Sequence, residues 1–207
     1  MRREVIRKYV EKYSLGLIDV NNSLEEYEKF YKNMGFSESI KELVHEKITA
    51  QGRAVVMDIG CGNAGFLLDL KEIFKEKVET IGVDLLVPMK KPDKVVAGDV
   101  LDLELPKNVD FVFSFRALHE IGEPQKITEK IYASLAPKGR AFLSFRTMDL
   151  YVDSKGIAEI GQAEIKQLTQ MVRRGKLLDF SVKGFEVSLK DEKGKKFTAG
   201  VNVFLAK

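Results

Sequence analysis

Apolar residues recur with helical spacing over the first fifty positions and gather into short, dense runs from Arg53 onward. Val5, Ile6, Tyr9, Val10 and Tyr13 share one helical face. Leu24, Tyr27, Phe30, Tyr31 and Met34 share a second, and Ile40, Leu43, Val44 and Ile48 a third. Ser23 with Glu26 and Ser39 with Glu42 have capping-box spacing, which supplies acceptors for first-turn amides that lack a helical partner. Three short helices are therefore expected before the first strand, with His45 on a charged, solvent-facing side.

The later runs, at 54–59, 78–83, 94–98, 109–115 and 140–146, are short, apolar on both faces and rich in Val, Ile or Phe. That is the pattern of parallel strands covered on both sides. Phe66, Leu70, Ile73 and Phe74 predict a helix between the first two. Ile127, Ile131, Tyr132 and Leu135 predict another before the fifth, ended by Pro137-Lys138-Gly139. The crossover from Leu85 to Asp93 contains Pro88 and Pro92 and cannot hold a full helix. A helix over Ala163 to Arg174 is followed by strand signals at 178–190 and 196–206, joined by Asp191-Glu192-Lys193-Gly194 as an antiparallel hairpin. The alternation predicts an α/β class protein with a doubly wound, mostly parallel sheet and an N-terminal helical extension.

Length and charge narrow the partners. The 207 residues suit one core built without metal or disulfide staples, and 34 basic against 31 acidic residues leave a net charge of only +3. Neither nucleic acid nor a membrane surface is demanded. The single cysteine, Cys61, excludes an internal disulfide and a cysteine-rich zinc site, and no metal is expected. No apolar run is long enough to span a bilayer and Met1-Arg2-Arg3-Glu4 does not open a signal peptide, so a cytoplasmic location is expected.

The chemistry concentrates in Val55-Val56-Met57-Asp58-Ile59-Gly60-Cys61-Gly62-Asn63-Ala64-Gly65-Phe66. A strand runs through an acid into a glycine turn and then a helix. Glycines let the backbone approach a ligand where a Cβ would collide. Gly60, Gly62 and Gly65 have the G-x-G-x-x-G spacing of dinucleotide sites, so the loop alone leaves an NAD-dependent oxidoreductase open. Asp58, two residues before the first glycine, would repel a pyrophosphate and tolerate a cationic cofactor. Asp84, at the end of the second strand, can accept both ribose hydroxyls of either kind of nucleoside. A phosphate-binding Gly-Lys-Ser/Thr loop is absent.

Four blocks in order give the chain a resemblance to the class I S-adenosylmethionine-dependent methyltransferases over residues 54–207. They are Val55 to Gly65, Thr80-Ile81-Gly82-Val83-Asp84, Ala97-Gly98-Asp99-Val100 through Pro106, and Val109 through Ile121 with its Leu118-His119 turn. The resemblance implies a seven-stranded sheet of order 3-2-1-4-5-7-6 with the last strand antiparallel, residues 1–52 as a lid and 53–207 as the catalytic domain. It implies S-adenosylmethionine as cofactor, bound by Asp58, Gly60, Cys61, Gly62, Asn63, Gly65, Asp84, Leu85, Gly98, Asp99, Val100, Ser114 and Phe115. Asp99 falls where the family meets the adenine amino group, a role the dinucleotide fingerprint lacks. The family's third glycine stands where this chain has Ala64, so Gly65 reads as a displaced member of the loop.

The resemblance further implies methyl transfer to an oxygen or nitrogen of an acceptor, with a small molecule favoured by the Leu-His turn. His119 is the candidate base and Arg116 a candidate for holding an acidic acceptor. Each also has a bland reading, His119 as a histidine bonded to backbone and Arg116, like Arg146, as a solvated side chain at a strand end. Asp58 and Asp99 could serve only their own turns, and Cys61 as filler. A protein or RNA acceptor remains the first alternative, supported by the basic Arg2, Arg3, Arg7 and Lys8. A non-catalytic cofactor-binding protein is another. Ser114-Phe115-Arg116-Ala117 replaces the family's Asn/Asp-Pro-Pro-Tyr amide clamp, which disfavours base or glutamine-amide methylation.

Overall fold

The computed structural model describes residues 7, 11, 22–88, 90–115, 117, 118, 123–146, 179–191 and 194–207, with 124, 125, 145, 146, 179–191 and 194–203 as backbone. The expected first helix, the 163–174 helix, and Arg116, His119, Glu120 and Ile121 lie outside these residues. The sheet has seven strands in the order β3-β2-β1-β4-β5-β7-β6. The strands are β1 Ala54–Ile59, β2 Val78–Asp84, β3 Lys94–Ala97, β4 Val109–Ser114, β5 Leu135–Arg146, β6 Asp179–Asp191 and β7 Gly194–Ala206. The described helices are α1 Leu24–Asn33, α2 Ile40–Gln51, α3 Gly65–Phe74 and α4 Pro124–Ser134. The chain divides into two compact units, residues 1–104 and 105–207.

In the first unit, β1 pairs parallel with β2 from Ala54–Val78 to Ile59–Val83, and β2 pairs parallel with β3 from Ile81–Lys94 to Asp84–Ala97. Val56, Met57, Ile59, Ile81 and Val83 are buried, and Phe66, Leu67 and Leu70 of α3 pack into the same core. Ser39 and Glu42 form the complete predicted capping box at α2. Only half of the box forms at α1, where Ser23 accepts the Glu26 amide, while the Leu24 amide donates to Asp69 of α3 at 2.8 Å. The irregular crossover is pinned by side chains instead of a helix. Asp93 accepts the Thr80 amide at 2.9 Å and the Thr80 hydroxyl at 3.0 Å, and Lys71 reaches Asp93 at 3.0 Å.

In the second unit, β4 and β5 pair parallel, and β7 pairs antiparallel with both β5 and β6. Phe113 stacks on Phe142 at 5.2 Å, and Phe142 meets Phe204 at 5.3 Å. The Pro137-Lys138-Gly139 signal marks a break inside β5 and not before it. Lys138 has φ 64°, and the register slips between Val109 opposite Leu135 and Phe111 opposite Arg140. A side chain at Gly139 would meet the carbonyls of Ala136 and Val109 at 2.8 Å.

Candidate cofactor site

The glycine loop leaves β1 through left-handed residues, Gly60 at φ 78°, Gly62 at φ 54° and Ala64 at φ 61°. Ala64 is the N-cap of α3. Left-handed backbone costs a non-glycine residue about 1–2 kcal/mol, so the alanine keeps the loop shape that a glycine would supply without strain. Gly60 and Cys61 donate their amides to the Val83 carbonyl at 2.7 and 3.3 Å, binding the loop to the end of β2.

Gly65 is not a displaced loop glycine. Its φ is not among the positive ones, and a Cβ there would stand 2.8 Å from the carbonyl oxygen of Asn22. The position is kept bare by the N-terminal segment that crosses it. The Gly65 amide donates to Asn63 Oδ1 at 3.0 Å, a local turn bond.

Asp84 is brought directly to the loop. Its Oδ2 accepts the Gly62 amide at 2.9 Å and its Oδ1 the Leu86 amide at 3.3 Å. A carboxylate has about four acceptor directions, so these bonds fix the group and leave capacity for vicinal hydroxyls. Burial pushes its carboxyl above the ordinary range, against the lowering effect of the amides of Gly62, Leu86 and Leu85. Gly98 joins the same corner, since its amide donates to the Asp84 carbonyl at 2.8 Å. It adopts φ 139°, and a Cβ there would press on Leu103 at 3.1 Å. Leu85 is half-buried beside Asp84.

Asp58 is completely buried and accepts the Tyr27 hydroxyl at 3.0 and 2.9 Å on its two oxygens. Burial pushes its carboxyl up to about 8, the Tyr27 bond opposes this, and the Asp84 charge adds to it. The Cys61 thiol is pushed up by burial and by the charges of Asp58 and Asp84. Its sulfur lies against Gly82, where a Cβ would stand 2.9 Å from it, so it packs as filler.

Asp99 makes the Asx turn: its Oδ1 accepts the Leu101 amide at 3.0 Å. Val100 is buried, and Asn63 is half-buried at the loop tip. In the second unit, Ser114 and Phe115 are buried at the C-terminal end of β4, with Phe115 edge-on to Phe113 at 6.1 Å. The proposed roles of Arg116 and His119 fall on residues outside those described. Tyr27 and Asn22 carried no sequence signal beyond the choice of tyrosine on an apolar helix face, where a buried hydroxyl needs a partner.

The site therefore holds two buried carboxylates, Asp58 and Asp84, whose described partners are a phenol and backbone amides. No basic side chain among the described residues neutralises either. A bound ammonium or sulfonium would favour the ionised form of both acids, whereas no described basic side chain stands here to meet a pyrophosphate.

Residues 57–143 match the protein family described as "Methyltransferase domain". No curated protein matches the chain by sequence. The fold is similar to that of Burkholderia thailandensis 1,6-didemethyltoxoflavin-N1-methyltransferase, with TM-score 0.55, 18% identity, and 98% of this chain and 86% of that one covered. It is also similar to Haemonchus contortus phosphoethanolamine N-methyltransferase 2, solved with S-adenosyl-L-methionine, at TM-score 0.56 and 15% identity over 81% of this chain. The arsenic(III) S-adenosylmethionine methyltransferase of Chlamydomonas reinhardtii gives 0.54 and 16%, covering 74% of this chain and 64% of that one. The chain spans 52% of the length of the Haemonchus enzyme. The strand order and the acid-flanked glycine loop at the end of β1 agree with the match over residues 57–143, and the chain has the Rossmann-like α/β fold of the class I S-adenosylmethionine-dependent methyltransferases.

Proposed function

We propose that the protein transfers a methyl group from S-adenosylmethionine to a nitrogen or oxygen of a small acceptor. The observation that carries this reading is the pair of buried carboxylates around a glycine loop with no basic partner among the described residues. Asp84 would accept the ribose hydroxyls, the loop from Gly60 to Gly65 would pass beneath the methionine portion, and Gly98 to Val100 would border the adenine. Asp58 would face the cofactor's positive end from below the loop. Ser114 and Phe115 would lie toward the methyl-transfer end, with residues 1–52 as the covering element and 53–207 as the catalytic domain.

The cofactor supplies an already activated methyl group, so the protein's task is chiefly to hold the acceptor in line with it. An acceptor hydroxyl or amine must lose a proton to be methylated, and His119 would be the base that takes it. Arg116 would hold an acidic group of the acceptor. The similarity to the Burkholderia and Haemonchus enzymes, both N-methyltransferases, favours a small acceptor.

Methyl-labelled S-adenosylmethionine incubated with small amines and hydroxyl compounds, and separately with protein and RNA, tests the reading. Label in the small-molecule fraction is expected, and label confined to macromolecules would overturn the choice of acceptor. His119→Ala should slow turnover without weakening cofactor binding, and unchanged turnover would return the residue to a packing role.

A further inference from the structure

Five contacts tie one short stretch of the N-terminal segment to the glycine loop and the helix that follows it. The Tyr27 hydroxyl donates to both Asp58 oxygens, at 3.0 and 2.9 Å, across thirty-one residues of sequence. Its ring stacks on Phe66 in the first turn of α3, with centroids 4.1 Å apart and planes 13° from parallel. Asn22 donates its side-chain amide to the Cys61 carbonyl at 3.4 Å, and its own carbonyl occupies the space that the bare Gly65 leaves. Asp69 of α3 then accepts the Leu24 amide at 2.8 Å, capping α1 from the helix it packs on.

These contacts do more than bury a helix. A hydrophobic side chain at position 27 would fill the same volume, yet would leave a fully buried carboxylate with no described donor, which is costly. The hydroxyl fixes the direction of the acid that β1 carries beneath the glycine loop. The bare Gly65 shows the same commitment from the opposite partner.

We propose that Tyr27 is a positioning residue of the cofactor site, orienting Asp58 and locking the segment Asn22–Tyr31 onto the glycine loop as part of the cofactor cradle. The proposal rests on the S-adenosylmethionine reading given above. Among the described residues, the groups that face Asp58 are Tyr27 from α1, Asp84 from β2 and the Cys61 thiol from the loop. Only the first stabilises the ionised acid. Removing the hydroxyl should therefore weaken binding of a cationic cofactor and move the pH at which that binding sets in upward.

The test is calorimetric titration of S-adenosylmethionine into the full chain and into Tyr27→Phe, from pH 6 to 9. Tyr27→Phe keeps the ring stack and should raise Kd about tenfold, in line with the loss of a hydrogen bond to a charged group, with its onset at higher pH than wild type. Gly65→Ala pushes the Asn22 carbonyl away without touching Tyr27 or either acid, although it also crowds Asn63 Oδ1, and should weaken binding in the same direction. Wild-type binding with unchanged Kd and pH profile in Tyr27→Phe would overturn the positioning role and leave the cofactor reading standing. A folded wild type that binds no S-adenosylmethionine at any of these pH values would overturn both.

Discussion

The carboxylate of Asp84 accepts the amide of Gly62 at 2.9 Å, so the end of β2 and the tip of the glycine loop are held as one piece. The residue expected to clasp ribose is thus also the residue that shapes the loop beneath it. Asp84→Asn should damage both functions, because the amide keeps one acceptor oxygen and presents an N–H where the other accepted one. The expected result is a rise of about 10- to 100-fold in the Kd for S-adenosylmethionine, corresponding to about 1.5–3 kcal/mol for hydrogen bonds to a charged group. Isothermal titration measures it, and an unchanged Kd would remove Asp84 from the site.

Asp58 predicts an unusual pH dependence for the ligand-free protein. Its carboxyl is raised from 3.8 to about 8 in the folded chain, so the folded state binds more protons than the unfolded state between those values. Stability therefore falls as pH rises from about 4 to about 8, above which Asp58 contributes no further change. Asp84, raised in the same direction, adds to the decline. The acids held below their ordinary values, Glu25, Glu42 and Asp93, act with the opposite sign only below about pH 4.5. Chemical denaturation at a series of pH values should show the decline, and Asp58→Asn should flatten most of it.

Ala64 sits fully buried in a left-handed conformation at the N-cap of α3. Ala64→Val places a branched side chain in a strained backbone and a filled core, and should cost at least about 2 kcal/mol. Ala64→Gly relieves the strain but loses a buried methyl and gains unfolded-state freedom, so its stability should stay within about 1 kcal/mol of wild type. Urea denaturation of the two variants separates these outcomes.

Much of the fold was legible in the chain because parallel strands announce themselves by continuous apolar runs. β1 begins and ends where Ala54 and Ile59 place it, and the hairpin strands pair down to Asp191 opposite Gly194. What escaped was set by partners distant in sequence. Gly65 has dinucleotide spacing, yet its reason is the carbonyl of Asn22, forty-three residues earlier. Tyr27 lies on an apolar helical face like any core residue, and only the buried acid opposite distinguishes it. The Pro137-Lys138-Gly139 signal was correctly a break, but it interrupts a strand that had already begun at Leu135. The family resemblance supplied the cofactor roles, whereas the structure supplied the absence of a basic partner for Asp58 and Asp84 among the described residues.

Asp93 replaces a helix in holding the second crossover. Asp93→Ala removes the acceptor shared by the Thr80 amide, the Thr80 hydroxyl and Lys71. Because the group lies at the surface, solvent screens part of the loss, and about 1–2 kcal/mol is expected from the hydrogen bonds. Thermal denaturation should register the drop, and hydrogen exchange at the Thr80 amide should quicken.

On the reading proposed here, the acid-flanked glycine loop receives S-adenosylmethionine. The most direct test of that reading is calorimetric titration of the full chain with S-adenosylmethionine, S-adenosylhomocysteine and NAD under one set of conditions. Saturable binding of both sulfur ligands, each tighter than NAD, is the predicted result. Tighter binding of NAD than of either would contradict the account.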